Sequence, residues 1–341
     1  MRKAPDFWWK QKTGWQALVL AVPSIIYSAV SGRRMLQPPK VRSELPVICV
    51  GNFVVGGVGK TPFCLMLAEL MRAEGRRPGF LLRGYGGRET GPLRVDPKSH
   101  FVDQVGDEAL LLACDAPTIM SKDRGAGAKL AAAQGDIDIL IMDDGFQNPS
   151  LDRDLNIVLV DAQTGLGNGW AVPAGPLRAN MKTQISKTNI LILVNRGQAA
   201  AETVQTAAQK GIPILHASVV TKDNLALRDK PLVAFAGIGR PGKFFESLEN
   251  DGLDVVQAEA YGDHHAFTAE DVSYLQAEAK RLQGTLVTTS KDHARLERSD
   301  IPECRVFAKD VQVFDIEMKI EERDRLIGYI NEKIRTRSSS K

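Results

Sequence analysis

The chain has 341 residues, 43% hydrophobic and 25% charged, close to an ordinary globular protein, which excludes a disordered or collagen-like chain. At roughly 150 residues per domain, that length points to two domains. The net charge of +3 conceals a split: residues 1–42 hold eight basic side chains (Arg2, Lys3, Lys10, Lys12, Arg33, Arg34, Lys40, Arg42) against Asp6, a net +7, and the remainder holds 36 basic against 40 acidic, a net −4.

The basic segment also carries Trp8, Trp9 and Trp15. Residues 13–32, TGWQALVLAVPSIIYSAVSG, are uncharged and approach the ~20 residues that cross a bilayer. Thr, Gln, Tyr, Ser and Pro23 within the run speak against a span. A cleaved signal, a spanning helix and an ordinary buried helix compete with a helix lying at the membrane surface. Interfacial aromatics and flanking Lys/Arg favour the surface helix. The acidic body, with no basic patch interleaved with aromatics, excludes nucleic acid as the expected partner.

From residue 45 onward, apolar strands alternate with helical stretches. LPVICV (45–50) reads as a buried strand, and FCLMLAELMRA (63–73) as a helix stopped near Gly75. Further strands are expected at 78–82, 137–142, 155–160, 189–194 and 212–216, with a helix at 125–134. Continuous apolar strands between helices imply an α/β fold with a parallel sheet covered on both faces. The charged stretch 218–231 marks a boundary. Beyond it, the order restarts with strands at 231–237, 254–258 and 284–290 and helices at 242–251 and 269–282. The expected organisation is an N-terminal membrane-associating segment (1–32), a phosphate-loop domain (33–225) and a smaller α/β domain (226–341) ending in a frayed tail, 335–341. Cys49, Cys64, Cys114 and Cys304 are far apart in sequence and are expected as reduced core residues.

The strongest chemical signal is GNFVVGGVGKTP, 51–62, between a strand and a helix. Gly56, Gly57, Val58 and Gly59 form a loop whose backbone amides can surround phosphate oxygens. Lys60 can reach the β- and γ-phosphates, and Thr61 can ligate Mg²⁺. Val54 stands where a strict phosphate loop has its first glycine. IDILIMDDGFQ (137–147) ends a buried strand in Asp143 and Asp144, the place of an acidic Mg²⁺ partner; which of the two meets metal is open. QVGDEALLLA (104–113) opens a helix with Asp107 and Glu108, acids that an ordinary helix start would also favour. YGDHHAFTAED (261–271) crowds Asp263, His264 and His265 before a helix capped by Thr268, and His beside Asp can form an acid–base pair. GNGWAVPAGPLR (167–178) is a shaped loop ending in Arg178, a lid or clamp. Arg83, Lys122 and Arg124 lie near strand ends, where an anionic substrate could be held.

Two weaker patterns are set aside. GIGRPG (237–242) matches G-x-G-x-x-G, but Pro241 interrupts it as a dinucleotide site. NRGQ (195–198) lacks the acid of a guanine reader. A phosphate-loop ATPase switch of the metallochaperone or partitioning type and a nucleic-acid-dependent ATPase are the competing functions.

Together, APDFWW, GNFVVGGVGKTP, RGYGG, VGDEALLLA, DDGFQ with LDRD, GNGWAVPAGPLR, AGIGRPGKFF, DHHAFT and TTSKD keep their order from residue 4 to 292. This set resembles the lipid A 4′-kinases, the tetraacyldisaccharide 4′-kinase family. The resemblance implies transfer of phosphate from ATP, with Mg²⁺, to the 4′-hydroxyl of a tetraacylated glucosamine disaccharide 1-phosphate. It implies a monomeric, peripheral enzyme on the cytoplasmic face of the bacterial inner membrane. It further implies Lys60 and Thr61 on nucleotide and metal, Asp143 and Asp144 around the metal, and Asp107 with His264 as the acid–base pair. Asn52, Arg83, Arg124, Gln147 and Arg178 are expected on the substrate side. Asn148, Ala179, Leu82 and Ser290 depart from the family pattern.

Overall fold

A computed structural model of the chain describes residues 4–10, 13–222 and 224–339. Arg2, Lys3 and Lys12 of the basic segment, and residues 340 and 341 of the tail, lie outside the described residues.

Thirteen strands are found among the described residues. In chain order they are β1 Val47–Asn52, β2 Pro78–Leu82, β3 Leu93–Arg94, β4 Thr118–Met120, β5 Ile139–Asp143, β6 Leu155–Asp161, β7 Ile190–Val194, β8 Ile214–Thr221, β9 Leu232–Ala236, β10 Val255–Ala260, β11 Thr285–Thr289, β12 Gln312–Phe314 and β13 Ile316–Ile320. They build two sheets, ordered β13-β8-β7-β6-β1-β5-β2-β4-β3 and β10-β9-β11-β12. The large sheet is parallel except at its edges, where β3 and β13 run antiparallel to their neighbours. The small sheet is parallel throughout.

Every residue of β1, β5, β6 and β7 is buried, as expected of strands covered on both faces. Alternate side chains of β1 enter two separate cores. Ile48 and Val50 join Phe63, Leu67 and Met71 of the helix Lys60–Ala73, and Val47 and Cys49 join Phe53, Leu140 and Phe146 on the opposite face. The small sheet repeats this division, with Val233 and Phe235 on one side and Leu232, Ala234 and Ala236 on the other.

The last part of the chain departs from the expected organisation. Segment 226–341 is not one unit, because β13 pairs antiparallel with β8 of the large sheet. The helix Arg323–Ser339 then buries Leu326, Ile330 and Ile334 in the core beside β1. Arg337 fastens this helix, donating to Asp154 Oδ2 at 2.5 Å and to the Ser43 carbonyl. The described part of the expected frayed tail, 335–339, is therefore helix, held by an apolar stripe and a buried ion pair. The lobe built on the small sheet is an excursion between β8 and β13. Strands β3, β4 and β12 span only two or three residues, too short for periodicity to announce them. Cys49, Cys64 and Cys304 are buried, but Cys114 is exposed at the end of its helix, contrary to the core expectation.

The N-terminal helix Ala21–Met35 faces the wrong way for a core helix. Its buried side includes Ser24 and Gly32. Ser24 Oγ donates to the Ala171 carbonyl and Ser31 Oγ to the Arg178 carbonyl, each at 2.7 Å. Together with the preceding helix Trp15–Val19, it leaves Trp15, Leu18, Val19, Val22, Ile25, Ile26 and Val30 between 59% and 71% exposed. Their spacing is that of one helical face. Among the described residues, no helix is long and apolar enough to cross a membrane.

Candidate active site

The phosphate loop begins where β1 ends. Asn52 Nδ2 donates to the Gly56 carbonyl at 3.2 Å and closes the loop on itself. Gly59, with φ +86°, is the left-handed residue from which the Lys60 helix starts. A side chain there would crowd only the flexible Met318 Cε, at 2.7 Å, so glycine is required by conformation rather than by space. Val54 needs no such freedom. It forms an antiparallel bridge with Leu177, and the neighbouring Val55 N–H donates to the Pro176 carbonyl at 2.7 Å. The 167–178 loop is thus laid along the entrance of the phosphate loop, and extended pairing replaces the glycine turn.

β5 lies directly beside β1, with Asp143 opposite Val50. Thr61 Oγ1 donates to Asp143 Oδ2 at 3.3 Å. Burial first, then the nearby Glu108 carboxylate, pushes the Asp143 carboxyl up to about 7. Asp144 faces different company: Arg178 Nη1 donates to its two oxygens at 2.8 and 3.1 Å, and Lys60 Nζ stands 3.7 Å from Oδ1. Burial opposes its charge, but Lys60 and Arg178 outweigh burial and hold it well below the usual carboxylate range. Adjacent aspartates therefore sit at opposite extremes, one short of positive charge and one saturated with it.

Asp107 opens the helix Asp107–Ala113, and its main partners come from the other lobe. Its Oδ2 accepts from Arg295 Nε at 2.9 Å and Nη2 at 2.5 Å, and lies 3.3 Å from His264 Nδ1. The hydrogen bond with His264, Arg295 and Lys291 together overcome burial and lower the Asp107 pKa strongly. The same hydrogen bond raises that of His264 against its partial burial. Arg295 also donates to Asp292 Oδ1 at 2.5 Å and to the Gly237 carbonyl at 2.6 Å. Lys291 Nζ donates to Glu108 Oε1 at 2.6 Å. Burial disfavours the Lys291 charge, but Glu108, Asp107 and Asp143 more than restore it. Alternating charge thus runs through Glu108, Lys291, Asp107 and Arg295, with the Asp143 carboxyl close enough to Glu108 to feel its repulsion.

The two histidines separate cleanly. His264, at φ +57°, faces Asp107 and lies 5.4 Å from the Tyr85 ring. His265 stacks on Tyr261 and places Nε2 2.9 Å from Asp271 Oδ2, the acid that also caps the following helix through Thr268. His265 holds the loop in shape. Arg295 and Lys291 were absent from the sequence-based candidates.

The remaining candidates are distributed around the loop mouth. Gln147 Nε2 donates to the Asn52 carbonyl at 2.8 Å and to Gln184 Oε1 at 3.1 Å, tying DDGFQ to β1. Arg178 Nε donates to the Val54 carbonyl at 3.1 Å. Arg124 is buried, donates to the Ser121 carbonyl at 2.6 Å, and is pulled down to about 10 by burial. Arg83 is exposed. Pro241 does not interrupt the 237–242 segment but occupies the first turn of the helix Pro241–Asn250, where its missing N–H costs nothing.

The loop suits a nucleotide with a divalent cation. Asn52 Oδ1 and Asp143 Oδ1 are buried, with no hydrogen-bond partner among the described residues. Among the described residues no cluster of three or more His, Cys, Asp or Glu is arranged to hold a metal. Thr61 and one carboxylate, completed by phosphate oxygens and water, are the hard oxygen donors that Mg²⁺ takes.

A family model described as tetraacyldisaccharide-1-P 4′-kinase matches residues 16–335. The chain belongs to this family. A tetraacyldisaccharide 4′-kinase of Methylobacterium nodulans is 48% identical over 296 residues, covering 86% of this chain and 87% of that protein. One from Rhodopseudomonas palustris is 41% identical over 334 residues, covering 97% and 96%. The solved structure of Aquifex aeolicus LpxK, in complex with ATP, superposes with a TM-score of 0.69 at 25% identity, covering 93% of this chain and 99% of that one. Set against these tetraacyldisaccharide 4′-kinases, two of the unusual residues have plain local roles. Asn148 Oδ1 accepts from the Ser150 N–H at 2.9 Å, a turn-stabilising contact. Ala179 is fully buried beneath the clamp loop.

Proposed function

We propose that the chain transfers the γ-phosphoryl group of ATP to the 4′-hydroxyl of a tetraacylated glucosamine disaccharide 1-phosphate. The observation that carries this reading is the Asp107–His264 pair, formed where His264 of the second lobe reaches Asp107 of the phosphate-loop lobe. Such a pair can take the proton of an acceptor hydroxyl, and the match to the tetraacyldisaccharide 4′-kinases favours a sugar hydroxyl over water as that acceptor.

In this reading the acceptor oxygen bonds to the γ-phosphorus as the bond from that phosphorus to the β–γ bridging oxygen breaks, and ADP leaves. The hydroxyl proton passes to the Asp107–His264 pair. Asp107 is held ionised by Arg295, so the pair's exchangeable proton resides on His264, and the pair titrates as a unit. Lys60 and the loop amides hold the phosphates, which matters most for a loose transition state. Thr61 and Asp143 would hold Mg²⁺, which neutralises phosphate charge when bound. Asp144 would keep Lys60 and Arg178 in place. Arg83, exposed near Arg124, is assigned to the acidic substrate, and Asn52 and Gln147 shape the loop beneath it.

The outward apolar face of helices Trp15–Val19 and Ala21–Met35 is assigned to the bilayer surface, with Arg33 and Arg34 in the last turn meeting anionic headgroups. The opposite face of the helix Ala21–Met35 is bound to the protein through Ser24 and Ser31, so the segment is assigned to the membrane surface rather than to a span. The enzyme then works as a monomer on the cytoplasmic face of the inner membrane, where the acyl chains of its substrate are held.

Labelled γ-phosphate supplied as ATP is expected to appear on the lipid disaccharide. Release only as free phosphate, with the lipid present, would overturn the kinase reading. Wild-type protein is expected to float with anionic vesicles, and the double variant Ile25→Asp, Ile26→Asp to remain in solution. Equal flotation of the two would remove the membrane assignment.

A further inference from the structure

Arg240 belongs to the second lobe, yet its guanidinium rests on the first. It precedes the helix Pro241–Asn250 and places its guanidinium carbon over the Trp9 indole, 4.0 Å from the ring centroid. Its Nη1 is 3.4 Å from Thr164 Oγ1 and 3.7 Å from Asp161 Oδ2. A side-chain carbon placed on Gly56 would sit 4.0 Å from Arg240 Nη2 and 3.9 Å from the Trp9 ring. Asp161 ends β6, the strand beside β1. A cation carried by the other lobe therefore forms part of the wall above the phosphate loop.

The charge balance there is uneven. Asp161 already accepts from Lys243 Nζ at 2.5 Å, so two cations share one carboxylate, and Arg240 is the more distant. Burial is not fully compensated: it lowers the Arg240 pKa despite the attraction of Asp161. Trp9 supplies a flat face that fixes the guanidinium plane without neutralising it. A planar, weakly hydrated cation with free fork geometry is suited to phosphate oxygens. A surface ion pair serving only to join the lobes would need neither the second cation on Asp161 nor an approach to a loop glycine.

We propose that Arg240 is a nucleotide-binding residue, delivered by the second lobe to the β- and γ-phosphates of the nucleotide in the phosphate loop, with Trp9 as its platform. This rests on the loop being an ATP site, as proposed above. It gives the N-terminal segment a direct contact with the nucleotide machinery, because Trp9 adjoins the membrane-facing helices. It also gives the second lobe a phosphate contact separate from the Asp107–His264 pair.

The test is calorimetric binding of ATP and of AMP to the full chain, without lipid, for wild type, Arg240→Ala, Arg240→Gln and Arg240→Lys. The Ala and Gln variants are expected to bind ATP roughly 10- to 100-fold more weakly and AMP as wild type does. The Lys variant should retain part of the difference, and Trp9→Leu should lose a smaller part. Unchanged ATP affinity in the Ala and Gln variants would overturn the proposal. Equal weakening of ATP and AMP would also overturn it, since that is the mark of a general distortion. Should the Ala variant not fold, the ATP-to-AMP ratio of the Gln variant decides alone. A wild-type chain that binds no ATP would bring down the phosphate-loop reading itself, an outcome distinct from the loss of Arg240 alone.

Discussion

Arg240 apart, the proposed nucleotide side of the site draws Lys60, Thr61, Asp143, Asp144 and Arg178 from the large-sheet lobe, fixed by neighbouring strands and a clamp loop. The proton-handling side is assembled across the molecule: Asp107 stands on one lobe, and His264 and Arg295 reach it from the other. The first arrangement is preformed by local backbone pairing. The second exists only while the lobes stay docked, through ion pairs that include Asp107–Arg295 and Glu108–Lys291 beside it and Lys243–Asp161 farther off. Binding and chemistry should therefore be separable by mutation, with Arg240 the one proposed nucleotide contact that depends on the lobes being docked.

The largest expected effect tests this separation directly. Asp107→Asn should lower turnover by roughly 10²- to 10⁴-fold, the range for loss of a positioned acid–base group, and leave ATP binding by calorimetry unchanged. Lys60→Ala should instead damage ATP binding and turnover together. If Asp107→Asn turns over within a few-fold of wild type, the cross-lobe pair has no part in proton transfer.

Next in size is the ion pair that holds the lobes. Arg295 is 5% exposed and Asp107 2%, so removing the cation strands a buried carboxylate. Arg295→Met should cost about 3–5 kcal/mol in urea unfolding at pH 7, the usual penalty for breaking such a pair. Adding Asp107→Asn to the same chain should recover part of that loss. An additive double variant would mean that the two residues do not act as a pair.

A smaller effect follows from the contrast between Asp143 and Asp144. The Asp143 pKa is raised to about 7, so between about pH 4 and pH 7 the folded protein binds more protons than the unfolded chain. Without Mg²⁺, Asp143 therefore makes stability fall as pH rises through that window. Asp143→Asn should remove the fall and raise the thermal midpoint at pH 8, with little change near pH 4. Asp144 works in the opposite sense. Its lowered pKa contributes stability that is present above the unfolded value and lost only in strong acid, so Asp144→Asn should destabilise at pH 8. Identical behaviour of the two variants would show that the adjacent carboxylates are electrostatically equivalent.

How far this division could be read in the sequence follows the same line. Lys60, Thr61 and Asp143 were legible because the strand–loop–helix run and the strand-end acids are local signals. His264 was a local candidate beside Asp263 and His265 but was chosen over His265 only through a family pattern, and no local signal singled out Arg295, which meets Asp107 across 188 positions of sequence. Its helix, Ser290–Glu297, reads as an ordinary charged surface helix. β13 was missed because it forms a short antiparallel edge strand after a long excursion, with no apolar run to announce its return. The reversed face of Ala21–Met35 was visible as composition but not as orientation, since only packing shows that Ser24 and Gly32 turn inward.

That reversed helix provides the smallest and most discriminating test, because it leans on the nucleotide side. Ser31 Oγ donates to the carbonyl of Arg178, whose side chain holds Asp144 and whose backbone N–H donates to the Phe53 carbonyl at 2.9 Å. Ser31→Ala deletes one partly buried hydrogen bond, worth about 0.5–1.5 kcal/mol. If the N-terminal helix braces the preformed half, the variant should lose that much stability and weaken ATP binding no more than a few-fold. The pH dependence of turnover set by Asp107 and His264 should not move. A shifted pH profile would instead mean that the N-terminal helix acts on the cross-lobe pair, and that the two halves of the site are coupled through the clamp loop.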